Sequence, residues 1–314
     1  MSIHSPSERA NAIGPRIAVS SFSAHLELGA INLQIETEDG GLQDVVLSSP
    51  GEKHITDFPS EMRARTGIST TEICQIQVPD STPAGIDALA ASLEAAGVDV
   101  LTVPIDIGNI ANPDPVRRSG YLQEIRRWID IAARLGAPFA RVNAGAPTGA
   151  PNNSRSALLE SLSDLADHAG SVGVSLLVEN HGGDSSDPDW LISVCEEIGW
   201  ERLGIILDTG NIEPMISVAV ARFAGHPVDE AAIDFEPVYG MIERLAPYAT
   251  IVHAKAYDVG DDGSFGPVDL RRALTIVRDA GFDGPISIEY EGAGPDVWDR
   301  TSRTVALVRE IFAR

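Results

Sequence analysis

The chain has 314 residues, 43% of them hydrophobic, which is enough apolar material for the core of one large domain. Its 46 acidic side chains outnumber its 23 lysines and arginines, giving a net charge of -23. So acidic a chain argues against polyanionic partners such as DNA or an anionic membrane, because neutralising phosphates takes a basic surface.

Residues 1–15 are polar, contain no apolar leader and read as a disordered tail, and no apolar run in the chain is long enough to span a bilayer. The expected location is therefore the cytoplasm. Two cysteines, Cys74 and Cys195, give neither a metal spacing nor a disulfide framework. Residues 16–22 (RIAVSSF) are a first strand, followed by an irregular, Glu- and Gly-containing segment to about residue 51 and a helix over 55–66. Residues 70–78 (TTEICQIQV) form a second strand, 83–96 a helix, 98–106 a third strand, and 119–135 an amphipathic helix closed by Gly136. The fourth strand is 139–145 (FARVNAG) and its helix 154–169. The fifth strand, 175–183, leads into a helix over 187–198 that Ser185 or Asp187 can cap, with Pro188 in its first turn. After a sixth strand at 203–211 comes a long excursion, 212–234, before a helix at 236–246. The seventh strand (250–256) is followed by an acidic turn and a helix at 268–280, and the eighth (285–292) by a helix over 296–314. Eight strands strictly alternating with helices predict one (β/α)8 barrel over residues 16–314, with no repeat or linker to divide it.

Four of these strands end in the same way. An apolar run reaches Glu179 and His181 in SLLVENHGG, Asp208 in LGIILDTGN, His253 and Lys255 in TIVHAKA, and Glu289 and Glu291 in PISIEYEG. Side chains on a strand alternate, so each pair spaced by two residues shares a face. Glu179, His253 and Glu289 are then the deeper groups, and His181, Lys255 and Glu291 lie nearer the rim. Two Glu, one Asp and one His at neighbouring strand ends make a mixed oxygen and nitrogen donor set suited to one divalent ion of the Mn, Mg, Co or Zn kind. Lys255 stands out for another reason: the chain has two lysines, Lys53 and Lys255, against 21 arginines. A lysine kept beside His253 fits a need for a compact ammonium, such as contact with a developing oxyanion, that the arginine fork would not meet. His25, just past the first strand, and Asn143, in the fourth, also look toward the barrel mouth.

The segments VENHGG (178–183), SSDPDW (185–190), LDTGN (207–211), VHAK (252–255) and SIEYEG (287–292) resemble the xylose isomerase-like barrel superfamily, in the branch labelled sugar phosphate isomerase/epimerase. The resemblance is carried by the second half of the chain; the first half matches as a strand and helix pattern. It implies Glu179, Asp208, His253 and Glu289 as metal ligands, with His181 and Lys255 facing the substrate. Family activities include ketose epimerases, sugar isomerases, inosose dehydratases, C-glycoside-cleaving enzymes and an endonuclease, so the resemblance speaks for the metal site more than for the reaction. Where sugar-binding epimerases tend to carry His three residues after the sixth-strand Asp, this chain has Asn211, which can hydrogen-bond a hydroxyl but cannot take a proton.

The leading expectation is a metal-dependent isomerase or epimerase of a small sugar or polyol, working through an enediolate. Glu179 and Glu289 are its acid and base, Lys255 its oxyanion donor, and His181, Asn211, Glu291, Asn143 and His25 its substrate contacts. A lyase on the same site, dehydrating an inosose or cleaving a C-glycoside, is the alternative; phosphodiester hydrolysis of the endonuclease kind is disfavoured by charge and by the scatter of the other histidines. The expected partner is a small carbohydrate, with neither nucleic acid nor membrane, and a homo-oligomer is left open. No GxGxxG after a strand, GxxxxGK[ST] or HExxH is present to support nicotinamide, ATP or zincin chemistry.

Overall fold

Eight parallel strands close into a barrel in the computed structural model, which describes residues 15–36, 42–48, 51–145, 153–223, 225–294 and 296–313. In chain order the strands are β1 (Ile17–Ser20), β2 (Ala30–Glu36), β3 (Leu42–Ser48), β4 (Thr70–Glu72), β5 (Asp99–Ile105), β6 (Phe139–Asn143), β7 (Ser175–Glu179), β8 (Leu203–Asp208), β9 (Ala249–Ala256), β10 (Asp258–Val259), β11 (Phe265–Gly266) and β12 (Ile286–Tyr290). The helices are α1 (Phe58–Thr66), α2 (Pro83–Ala96), α3 (Pro115–Arg134), α4 (Arg155–Ser171), α5 (Pro188–Ile198), α6 (Met215–Phe223), α7 (Glu236–Leu245), α8 (Leu270–Asp279) and α9 (Val297–Ile311). Around the barrel the order is β1-β12-β9-β8-β7-β6-β5-β4, every pairing parallel, so the (β/α)8 expectation is met. The tail expected over residues 1–15 lies, Pro15 apart, outside the described residues. No helix among the described residues is long and apolar enough to cross a membrane.

Local chemistry explains where the helices begin. The side chains of Thr82, Asp114, Ser154, Asp187, Asp269 and Asp296 each accept a backbone N–H in the first turn of α2, α3, α4, α5, α8 and α9. Each such cap stabilises by about 1 kcal/mol. Asp114 followed by Pro115 starts α3 four residues earlier than the apolar periodicity suggests.

Three further differences from expectation lie at the strand ends. Residues read as irregular after β1 form the antiparallel hairpin β2–β3, with Ile31 opposite Leu47 and Leu33 opposite Val45. The second barrel strand ends at Glu72 and not at 78, because Ser21 Oγ takes the Cys74 N–H (2.9 Å) and the chain turns into a short 3-10 helix, Gln75–Gln77. The 212–234 excursion contains α6, which buries Met215, Ile216, Val218 and Ala219.

The interior of the barrel is layered. Ala18, Leu101, Leu177, Ile206 and Ile251, all at most 1% exposed, plug its lower part. Two residues further along their strands, Leu177, Ile206 and Ile251 give way to Glu179, Asp208 and His253. The change from aliphatic to ionisable side chains thus happens inside the barrel, at the strand C-termini where sites of this fold lie.

Candidate metal and substrate site

His253 is the centre of the ionisable layer. It is 1% exposed, and its two ring nitrogens meet different surroundings. Nε2 lies 3.1 Å from Glu72 Oε2, while Nδ1 faces Asp208 Oδ2 at 3.4 Å, Glu289 Oε2 at 3.5 Å and Glu179 Oε1 at 3.6 Å. Nδ1 is buried and has no hydrogen-bond partner among the described residues. Burial opposes a charge on this imidazole, yet Glu72, Asp208 and Glu179 together hold it well above the usual histidine range.

Each neighbour is fixed by its own strand end. Asp208 Oδ1 accepts the backbone N–H groups of Gly210 (2.6 Å) and Asn211 (2.8 Å), a turn that aims Oδ2 at His253. Asn180 ties β7 to β8 by donating to the Asp208 carbonyl (2.8 Å) and accepting its N–H (2.9 Å). Thr209 Oγ donates to the His253 carbonyl and accepts the Lys255 N–H, both at 3.1 Å, which extends the β8–β9 pairing past the last ladder residue. Gly182, at φ 80°, adopts a left-handed conformation at the turn after β7 that suits glycine.

Glu179 is paired on its far side. Its Oε2 lies 2.8 Å from Arg141 Nε, a close ion pair whose angle is too bent for a hydrogen bond. Arg141 also donates to Asp106 Oδ1 (2.5 Å) and Asn143 Oδ1 (2.9 Å). Burial opposes ionisation of Glu179, but Arg141 first and His253 next bring its carboxyl well below the usual range. Glu289 stands in contrast: burial raises its pKa in spite of Lys255, whose Nζ donates to Glu289 Oε1 and Glu291 Oε2, both at 2.8 Å. Lys255 itself is held protonated, the charges of Asp208, Glu289 and Glu291 overcoming its burial.

Glu179, Asp208 and His253 form a group able to hold a metal ion, with one ligand atom from each within 4.8 Å of the others. The donor set fits such an ion on two counts. The unpartnered Nδ1 lies among carboxylate oxygens, and the layer carries six carboxylates, Glu72, Asp106, Glu179, Asp208, Glu289 and Glu291, against the fixed cations Arg141 and Lys255 and one imidazole. An oxygen-rich set of this charge suits a divalent cation, which would displace the proton that the carboxylates hold on His253. The fourth expected ligand, Glu289, lies beside the trio with Oε1 engaged by Lys255.

The expected substrate contacts divide. His181 is near the site, its Nδ1 buried and unpartnered and its N–H bonded to Ser185 Oγ at 2.8 Å. Glu291 reaches the site through Lys255. Asn211 Nδ2 is spent on Glu179 Oε1 (3.1 Å) and Asp208 Oδ2 (3.3 Å), so it braces the trio. Asn143 joins the Arg141–Asp106 cluster, donating to Asp106 Oδ1 at 2.9 Å. His25 bonds the Phe22 carbonyl through Nδ1 at 3.0 Å and stacks on the Phe22 ring.

Sequence reasoning missed Glu72, Arg141 and Asp106. The signal was there: Glu72 is the one charged residue of TTEICQIQV and Arg141 the one charged residue of FARVNAG, and Arg141 and Asn143 have the same two-residue spacing as Glu179 and His181. Glu72 holds the imidazole from behind and is itself fixed by Ser287 Oγ at 2.6 Å. In metal sites such a partner orients the ligand, and its loss costs about 10–100-fold in affinity. If the group holds a divalent ion, Glu72→Gln is therefore expected to weaken its binding, probed with Mn2+, by about that factor. Competition against a fluorescent chelator would measure it, and unchanged affinity would show that Glu72 has no such role.

Residues 63–309 match the family model described as xylose isomerase-like TIM barrel. The chain belongs to that family. No curated protein matches it by sequence. Among solved structures, it is similar to a 3-keto-D-glucoside 4-epimerase from E. coli (TM-score 0.62, 15% identity, covering 94% of this chain and 99% of that one). D-psicose 3-epimerase from Clostridium cellulolyticum H10, solved with D-tagatose, gives TM-score 0.63, 15% identity and coverage of 95% and 99%. A xylose isomerase-like TIM barrel protein from Mycobacterium smegmatis in complex with magnesium gives 0.59, 16%, 96% and 98%. At these identities the likeness concerns the barrel.

Proposed function

We propose that the protein is a divalent-cation-dependent isomerase or epimerase of a small carbohydrate. The observation that carries this reading is the unpartnered Nδ1 of His253 among the carboxylates of Glu179, Asp208 and Glu289. Glu179, Asp208 and His253 would hold the ion, with Glu289 beside them. A bound divalent cation supplies Lewis-acid polarisation of a substrate carbonyl. Epimerases among the structural neighbours support a carbohydrate substrate.

The chain's own groups divide the remaining work. Glu289, the carboxylate whose basicity burial raises, takes the proton from the carbon next to the carbonyl. Glu179, kept ionised by Arg141, is the weaker base of the pair and the firmer anchor. Lys255 keeps Glu289 in place and offers a compact ammonium to the developing oxyanion. His181, with its free ring nitrogen, orients substrate hydroxyls. A lyase that expels a β substituent from the same carbanion shares these steps and is the second reading, because Asn211 stands where sugar-binding epimerases tend to carry His.

Assay of ketoses, inososes and C-glycosides with the Mn2+-loaded protein in deuterated water tests the reading. An isomerase or epimerase is expected to return a sugar isomer labelled on the reacting carbon; an eliminated product would favour the lyase. Turnover of none of them would sink both.

A further inference from the structure

We propose that the Tyr257 hydroxyl is a substrate-binding group that donates to a hydroxyl of the carbohydrate on the β9 side of the barrel mouth. This deepens the reading above and rests on it.

Tyr257 follows His253 and Lys255 at the same two-residue spacing and lies one residue past the end of β9. It is 4% exposed. Its ring is held closely against the β8 turn: a Cβ added at Gly210 would lie 2.8 Å from Tyr257 Cε2 and 2.6 Å from Lys255 Cγ. Glycine at 210 therefore lets the phenol lie alongside the lysine stem, directly beyond Asp208. On the β12 side, a Cβ at Gly292 would come within 1.9 Å of the Tyr257 carbonyl oxygen, so the backbone is confined there as well.

Within this packing the phenol oxygen is buried and has no hydrogen-bond partner among the described residues. Folding has taken the O–H out of water and given it nothing in return, which buried tyrosines usually avoid. The charges acting on it belong to the site, Glu291 most strongly, then Lys255, Asp208 and Glu289. Burial and the carboxylate of Glu291 keep the phenol protonated, hence a donor. Glu291 grips Lys255 through Oε2 alone. A buried phenol donor suits a neutral hydroxyl, whose oxygen can take that hydrogen bond.

Tyr257→Phe removes a single oxygen and keeps the ring against Gly210. Binding of D-psicose, D-tagatose, L-ribulose and scyllo-inosose to the Mn2+-loaded full chain would be measured by calorimetry, alongside metal content and thermal midpoint. The dissociation constant of whichever probe the native protein binds is expected to rise about tenfold in the variant, with metal content unchanged. The thermal midpoint should stay level or rise, since the lost hydroxyl had no partner. Unchanged affinity in a variant that loads metal normally would overturn the proposal, as would a midpoint lowered by several degrees, the mark of a hydroxyl bonded within the protein. Failure of the native protein to bind any of the four would overturn the carbohydrate reading first, and Tyr257's role with it.

Discussion

Asp208→Ala is expected to release the metal ion: elemental analysis of the purified variant should find less than about a tenth of the native content, because a directly ligating group outweighs the 10–100-fold typical of its supporting partners. The carboxylate is fully buried and aimed at His253 Nδ1 by its own turn. Alanine also strands the N–H groups of Gly210 and Asn211, at about 1–3 kcal/mol for each buried donor left unpaired. Asp208→Asn separates the two effects, since its amide oxygen can still accept those N–H groups while the charge is gone. Both variants should lose metal and activity, and compared metal-free the alanine variant should melt several degrees below the asparagine one. Native metal content in both would remove Asp208 from the ligand set.

The second large effect concerns the proton. Glu289→Gln keeps an oxygen within reach of Lys255 but cannot take a proton, so turnover is expected to fall by about 10²–10⁴-fold, the usual worth of a positioned general base. Metal should be largely retained, because Glu179, Asp208 and His253 remain. In deuterated water the native enzyme should place deuterium on the reacting carbon of product or recovered substrate, and the variant should lose that exchange in step with turnover. Metal-dependent isomerisation without any carbon-bound label in the native enzyme would point to a hydride shift and remove the proton mechanism, leaving the barrel and the cation site in place.

The barrel was legible because its signal is redundant. Parallel strands buried on both faces read as apolar runs, and eight of them alternating with capped helices leave few other architectures. Glu179, Asp208, His253 and Glu289 were legible as polar exceptions to those runs. The hairpin was not, although Ile31, Leu33 and Ile35 alternate and a Gly-Gly pair follows, because a strictly alternating strand and helix pattern has no slot for two antiparallel strands. Glu72 and Arg141 were passed over because no rim partner marked Glu72, and Arg141 sits one step below a residue, Asn143, that drew the eye on its own. What Asn211 does could not be read from its place in the chain: only the folded turn shows both carboxylates within reach of its amide.

In ring order β7, β8, β9 and β12 are contiguous, so the residues expected to hold the cation occupy one arc of the barrel. The other arc, β1, β4, β5 and β6, carries the hairpin, the Gln75–Gln77 turn and Asp106 at its upper ends. From it Glu72 and Arg141 reach across to the holding arc. Retooling the protein for a different sugar is then a grafting problem with a natural seam: loops on the β1–β6 side can be exchanged while the proposed cation seat stays as built, provided the graft keeps Glu72, Arg141 and the Asp106 that holds Arg141. Loop libraries confined to that arc should give variants that still load metal but differ in what they turn over.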